Sequence, residues 1–223
     1  NTIVALDNSG RTLARVKGVF YALTEADTKD EMSALSEKIA PVLSEHNDNI
    51  YLNQDLYKRV AAVWQQEQEG KITLTTEQHR LLDRYHKAFI RSGAGLDTGK
   101  QNRLREINKE LSTLAITFSN HVLNENNAYR LVIDNEAELA GLPEWVKTGA
   151  AEEAKAVGKE GKWLFTLQNS SRLPLLQYAD NRELRKDIYE AYINRGNNGD
   201  ANDNKEILKK IISLRLEKAN LLG

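Results

Sequence analysis

A chain of 223 residues with 40% hydrophobic and 28% charged residues has the balance of an ordinary globular protein, long enough to bury roughly 70–75% of its unfolded surface. Its net charge of −1, with no run of Lys and Arg interleaved with aromatics, argues against nucleic-acid binding, and no apolar run is long enough to span a bilayer. Cysteine is absent, which excludes disulfides, thiolate zinc sites and thiol catalysis together.

Only three prolines interrupt long stretches of 3.6-residue periodicity. The predicted fold is therefore mainly α, a multi-helix bundle or array with at most one small β-hairpin. Arg11–Leu23 places Leu13, Val16, Phe20 and Leu23 on one stripe, and Asp30–Leu43 does the same with Met32, Leu35, Ile39 and Leu43. Turn chemistry at Asn47-Asp48-Asn49 and at Gly70-Lys71 brackets a helix carrying Leu56, Val60 and Val63, with Trp64 beside them. Thr75 and Gln78 have capping-box spacing and open a helix whose apolar face holds Leu82, Tyr85 and Phe89. Gly93 and Gly95 end it. The longest predicted helix runs from about Gly99 to Ala128. Its seam of Leu104, Ile107, Leu111, Leu114 and Phe118 is too short for a coiled coil and predicts a helical hairpin within a bundle.

Beyond it, Leu131–Ile133 is a short strand candidate, Glu144–Val157 an alanine-rich helix, and Trp163–Leu167 alternates as a half-buried strand does. The two strands are expected to pair as a minor hairpin. Asn169-Ser170-Ser171 reads as a turn, followed by a helix started by Pro174. A second helix is capped by Asp180 with Glu183 and buries Leu184, Ile188, Ala191 and Tyr192. In the last helix, capped by Asp203 with Glu206, residues Ile207, Leu208, Ile211, Ile212, Leu214, Leu216, Ala219, Leu221 and Leu222 spread over roughly 220° of the wheel. Such a helix expects cover on two sides, from another copy of the chain or from further polypeptide. No fixed-period repeat, low-complexity tract or linker breaks the sequence, so one continuous domain over residues 1–223 is expected.

Residues that could carry chemistry are few. The four histidines are His46, His79, His86 and His121. His121 has only Glu125 one turn away and is expected to be a core or boundary histidine with one nitrogen satisfied, its spacing to Glu125 that of a surface pair. His79 and His86 lie two turns apart on one helix, too far to share a metal without a third element, and are expected to be solvent-exposed. Asn197–Glu206, NNGDANDNKE, invites comparison with a calcium loop, but counting from Asp200 the sixth and twelfth positions hold Lys205 and Ile211 instead of Gly and Glu. Gly93 and Gly95 follow a helix and form no dinucleotide loop. No catalytic, cofactor-binding or metal-binding residue is assigned.

Five segments nevertheless match a known family in order: NTIVALDNSG at Asn1–Gly10, FIRSGAGL at Phe89–Leu96, LVIDNEAELAGLP at Leu131–Pro143, KWLFTLQNSSRLPLLQYADNRELRKDIYEAYINRG at Lys162–Gly196, and RLEKANLLG at Arg215–Gly223. Together they resemble the non-catalytic half of the thimet-oligopeptidase family of zinc metallopeptidases, in its bacterial peptidyl-dipeptidase and oligopeptidase A branch. The resemblance implies an N-terminal helical part that walls a deep channel, admitting short peptides and excluding folded proteins. In that family two His and one Glu of an HExxH helix bind zinc and activate its water. This chain has no HExxH, so the resemblance implies an inactive portion without zinc, whose parent enzyme holds the metal in a catalytic domain absent here. Short peptides as the parent's substrates and a cytoplasmic location, or a periplasmic one, follow from the same resemblance. A different class of reading is a non-enzymatic helical module that docks a partner through an exposed apolar helix.

Overall fold

The computed structural model describes residues 2–26 and 29–223; Asn1, the first residue of the NTIVALDNSG match, lies outside them, as do Asp27 and Thr28. The chain divides into two compact units, Asn1–Thr117 with Lys209–Gly223, and Phe118–Leu208.

The first unit is helical: α1 (Thr2–Asp7), α2 (Arg11–Ala26), α3 (Asp30–Tyr51), α4 (Gln54–Gln68), α5 (Thr76–Ser92), most of α6 (Thr98–Ala128) and most of α10 (Lys205–Leu222). Its core is the α4/α5 hairpin, where Val60, Leu82, Tyr85, Phe89 and Ala94 are buried and Ile3 and Leu6 of α1 pack against them. The expected cap of α5 is present in full: Thr75 Oγ accepts from the Gln78 N–H, and the Gln78 side chain accepts from the Thr75 N–H. At its other end Gly93 takes a left-handed conformation, and buried Gln101 donates to the Gly93 and Ala94 carbonyls. Of the α6 seam, Leu104 and Ile107 are fully buried.

Asn47-Asp48-Asn49 is not a turn. α3 continues to Tyr51 because buried Asp48 is tied to α6, accepting from Asn108 Nδ2 at 2.8 Å. Lys218 of α10 completes the link by donating to Asn108 Oδ1 at 2.6 Å. A polar group buried with its partners in place holds helix to helix as an apolar contact would.

The second unit carries the only strands among the described residues, β1 (Leu131–Ile133) and β2 (Trp163–Phe165). They pair antiparallel, with Leu131 opposite Phe165 and Ile133 opposite Trp163, as the alternation foretells. α7 (Glu144–Ala156), α8 (Asn169–Tyr178) and α9 (Arg182–Ile193) pack around this ribbon. They bury Val146, Ala150, Phe165, Leu167, Leu175, Leu184 and Ile188 in one core. A two-stranded ribbon is marginal alone and owes its stability to such helices.

The starts of α8 and α9 differ from the sequence reading. α8 begins at Asn169, so Asn169–Ser171 are helical and Pro174 sits inside the helix. Ser171 Oγ turns back to accept from the Thr166 N–H at 2.9 Å, which fixes the strand-to-helix corner without a loop. For α9 the cap is Asn181, not Asp180: its side chain accepts from the N–H groups of Glu183 and Leu184.

Candidate functional site

The four histidines stand in different surroundings. His46 is exposed on α3. His79 Nδ1 lies 2.7 Å from Glu67 Oε1 and its ring is stacked on Trp64. His86 is half-buried, contrary to the exposure expected of it, because Trp64 stacks on its ring at 4.6 Å between centroids. Burial holds the His86 imidazole below its usual pKa, against the pull of Asp83. A neutral ring between Trp64 and Tyr57 is a packing residue first.

His121, in the second unit, meets Asn204 rather than Glu125: its Nδ1 is 3.0 Å from Asn204 Oδ1. Asn204 is buried, and its Nδ2 also donates to the Phe118 carbonyl at 3.1 Å. Glu125 is used differently, accepting through Oε2 from the Gly196 N–H at 2.8 Å and from Asn198 Nδ2 at 2.9 Å. The expected Asp203 cap is displaced by one residue, since α10 starts at Lys205 and Asn204 occupies the cap position. Asp203 accepts instead from the Lys205 and Gly199 N–H groups, at 2.9 and 2.8 Å. With the Lys205 ammonium beside it, its carboxyl is lowered to about 2. The NNGDANDNKE loop is thus closed partly by its own side chains and partly by Glu125 and His121 of α6.

Sequence reasoning missed the aromatic clamp in this unit. The guanidinium groups of Arg172 and Arg195 lie 3.6 and 3.9 Å from the Tyr192 ring centroid. Arg172 is buried, donating to Asn169 Oδ1 at 2.7 Å, and Arg195 donates to Asn126 Oδ1 at 3.1 Å. Cations on an aromatic face, with their remaining donors paired, bind α6, α8 and α9 together. The signal lay in the Lys162–Gly196 match, which contains Arg172, Tyr192 and Arg195.

The concave surfaces of the second unit are shallow. A polar hollow of about 310 Å³ is lined by Asn126, Asn127, Arg130, Gln168 and Ser170, and one of about 180 Å³ by Trp145, Val146, Ala150 and Phe165. The polar hollow presents side-chain amides and hydroxyls together with the charged Arg130 and Glu153, groups able to hydrogen-bond a ligand. Among the described residues no group of three or more His, Asp or Glu side chains is placed to hold a metal ion. The described residues therefore offer no set that fits zinc, and no catalytic step is assigned to them. No helix among the described residues is long and apolar enough to cross a membrane.

No protein-family model matches the chain. Curated relatives do. Dipeptidyl carboxypeptidase of Escherichia coli is 37% identical over 223 residues, all of this chain and 32% of that protein. Oligopeptidase A of Haemophilus influenzae is 33% identical over 227 residues, again all of this chain and 33% of that protein. Saccharolysin of Saccharomyces cerevisiae is 27% identical over 203 residues, 90% of this chain and 27% of that protein. The chain spans about a third of the length of the first two of these relatives. The chain aligns from end to end with about a third of each of these two peptidases, and over that third it resembles the thimet-oligopeptidase family.

Proposed function

We propose that this chain is the N-terminal, non-catalytic helical part of a zinc-dependent peptidyl-dipeptidase or oligopeptidase that hydrolyses short peptides in the cytoplasm. The observation that carries the reading is the match along all 223 residues to dipeptidyl carboxypeptidase and to oligopeptidase A. The chain's role is to wall and shape the space in which a peptide is held, while the zinc ligands lie elsewhere in the polypeptide. The amide-lined hollow at Asn126, Asn127 and Gln168 is chemically suited to that task.

The test compares two purified proteins, the full-length product of the gene and the 223-residue chain. The full-length protein is expected to hydrolyse a quenched peptide about ten residues long, to lose that activity with a chelator and to regain it with zinc. The 223-residue chain is expected to hydrolyse none. Hydrolysis by the chain alone, or full-length activity indifferent to chelators, would contradict the reading. The non-enzymatic alternative is tested by the same pair, since it predicts no hydrolysis by either.

A further inference from the structure

A helix of 16 residues that buries none of its side chains is unusual. α2 is such a helix. Leu13, Val16, Val19, Phe20 and Leu23 lie within an arc of roughly 120° at ~100° per residue, the stripe of a core-facing helix. Yet Val16 and Val19 are each 62% exposed, and Leu13 and Leu23 are exposed too. A lone helix of this length is marginal in water, so its stability has to come from something packed on that stripe. A second stripe lies on α10, where Leu208, Ile212 and Leu216 follow one another at i, i+4 and i+8, all exposed, Leu216 at 62%. On the same helix Ile211 and Leu214 are buried. The wide apolar arc of α10 is therefore half used within the chain.

We infer that both stripes are covered by the remaining polypeptide of the same protein, the portion corresponding to the two thirds of the relatives that this chain does not match. The inference rests on the functional reading above. Size decides between that occupant and a second copy. The stripe on α2, from Leu13 to Leu23, is about 15 Å long and ~10 Å wide, well under the roughly 800 Å² per partner of a stable dimer. A tethered partner needs far less area, because the linker supplies an effective concentration in the millimolar range. Two small separate stripes therefore suit one attached partner and leave a free one weakly held.

Because the chain has no cysteine, a thiol introduced into it is unique within these 223 residues. The experiment places Val19→Cys and Ile212→Cys, one at a time, in the 223-residue chain and in the full-length protein. Maleimide labelling is followed peptide by peptide, each rate referred to the same protein in denaturant. In the chain, labelling is expected within about threefold of the denatured rate, and in the full-length protein about tenfold slower or more. If either variant fails to fold, Val16→Cys and Leu216→Cys report the same stripes.

Equal rates in the chain and in an active full-length peptidase would overturn the docking inference and leave the functional reading standing. Protection that appears in the chain alone and grows with its concentration would give the stripes to a second copy, which also overturns it. A gene product without HExxH would remove the functional reading, and this inference with it.

Discussion

α2 and the β1–α9 region carry the same kind of sequence pattern and meet opposite fates. Around the ribbon, Ile133, Phe165, Leu175 and Ile188 are closed into one core by helices less than seventy residues away in sequence. On α2, Val16, Val19 and Leu23 are as regularly spaced and stay in solvent. The difference teaches that periodicity marks a face that needs cover without saying where the cover comes from. The ribbon and the helices around it cover this core themselves. The stripe on α2 has no such cover among the described residues.

The largest test of that contrast is a pair of truncations. Phe165 is 1% exposed, so Phe165→Ala is expected to cost about 3–5 kcal/mol through lost burial and a cavity. Val19→Ala in the 223-residue chain is expected to change stability by no more than about 0.5 kcal/mol, as surface substitutions do. Urea titration read by circular dichroism measures both. Comparable losses at the two positions would erase the contrast.

Glycines sharpen it. Gly141, at φ +84°, ends the turn after Leu139, and a Cβ there would sit 2.4 Å from the Tyr178 carbonyl oxygen. Gly141→Ala is expected to cost about 2 kcal/mol or more, from left-handed strain plus a clash with backbone. Gly18, in the middle of α2, has open space around it. Gly18→Ala should stabilise the chain by up to about 1 kcal/mol through helix propensity alone. Thermal melts of the two variants, moving in opposite directions, are the expected outcome.

Much of this was legible in the sequence, for local reasons. The capping box at Thr75 and Gln78, the αL glycine at Gly93, the pairing of Leu131–Ile133 with Trp163–Phe165 and the buried face Leu82–Tyr85–Phe89 all follow from residues close in sequence. The errors arose where a distant side chain decided the outcome. Asn47-Asp48-Asn49 has turn composition, but Asn108 on α6 holds Asp48 inside a helix. Asp203 has the capping-box spacing to Glu206, but Asn204 takes the position, its side chain bound by His121 and Phe118 more than eighty residues away. The empty site inventory read from the sequence likewise rests on the absence of a local pattern, HExxH, and its test is chemical.

A pH titration probes the first unit at a finer level. Burial lowers the pKa of His86 in the folded state below its value of 6.5 in the unfolded chain. Near neutral pH both states hold a neutral ring and the shift has no effect. As pH falls through 6.5 the unfolded chain takes up the proton first, so stability falls. The melting temperature of the chain is expected to drop on acidification from pH 7 towards pH 5.5 and to drop less in His86→Phe, which keeps the stack on Trp64. Identical profiles for the two proteins would show that Trp64 does not hold His86 neutral.

The smallest expected effect belongs to the ion pair between α6 and α10. Arg103 donates from Nε and Nη2 to the two carboxylate oxygens of Glu217, at 2.6 and 2.8 Å, and Glu217 is thereby held below its usual pKa. Both side chains are substantially exposed, so salt screens them. Arg103→Ala is expected to lower the melting temperature less than any core variant, by an amount that shrinks in about 0.5 M salt. A loss that does not respond to salt would assign the effect to packing of the Arg103 stem.

The most direct measurement on the central claim is zinc stoichiometry in the two purified proteins, taken side by side after removal of any affinity tag. The account predicts about one zinc per full-length molecule and none per 223-residue chain, since a catalytic site of this kind needs three protein ligands and the chain's four histidines stand apart. Stoichiometric zinc in the chain, or none in an active full-length enzyme, would contradict it.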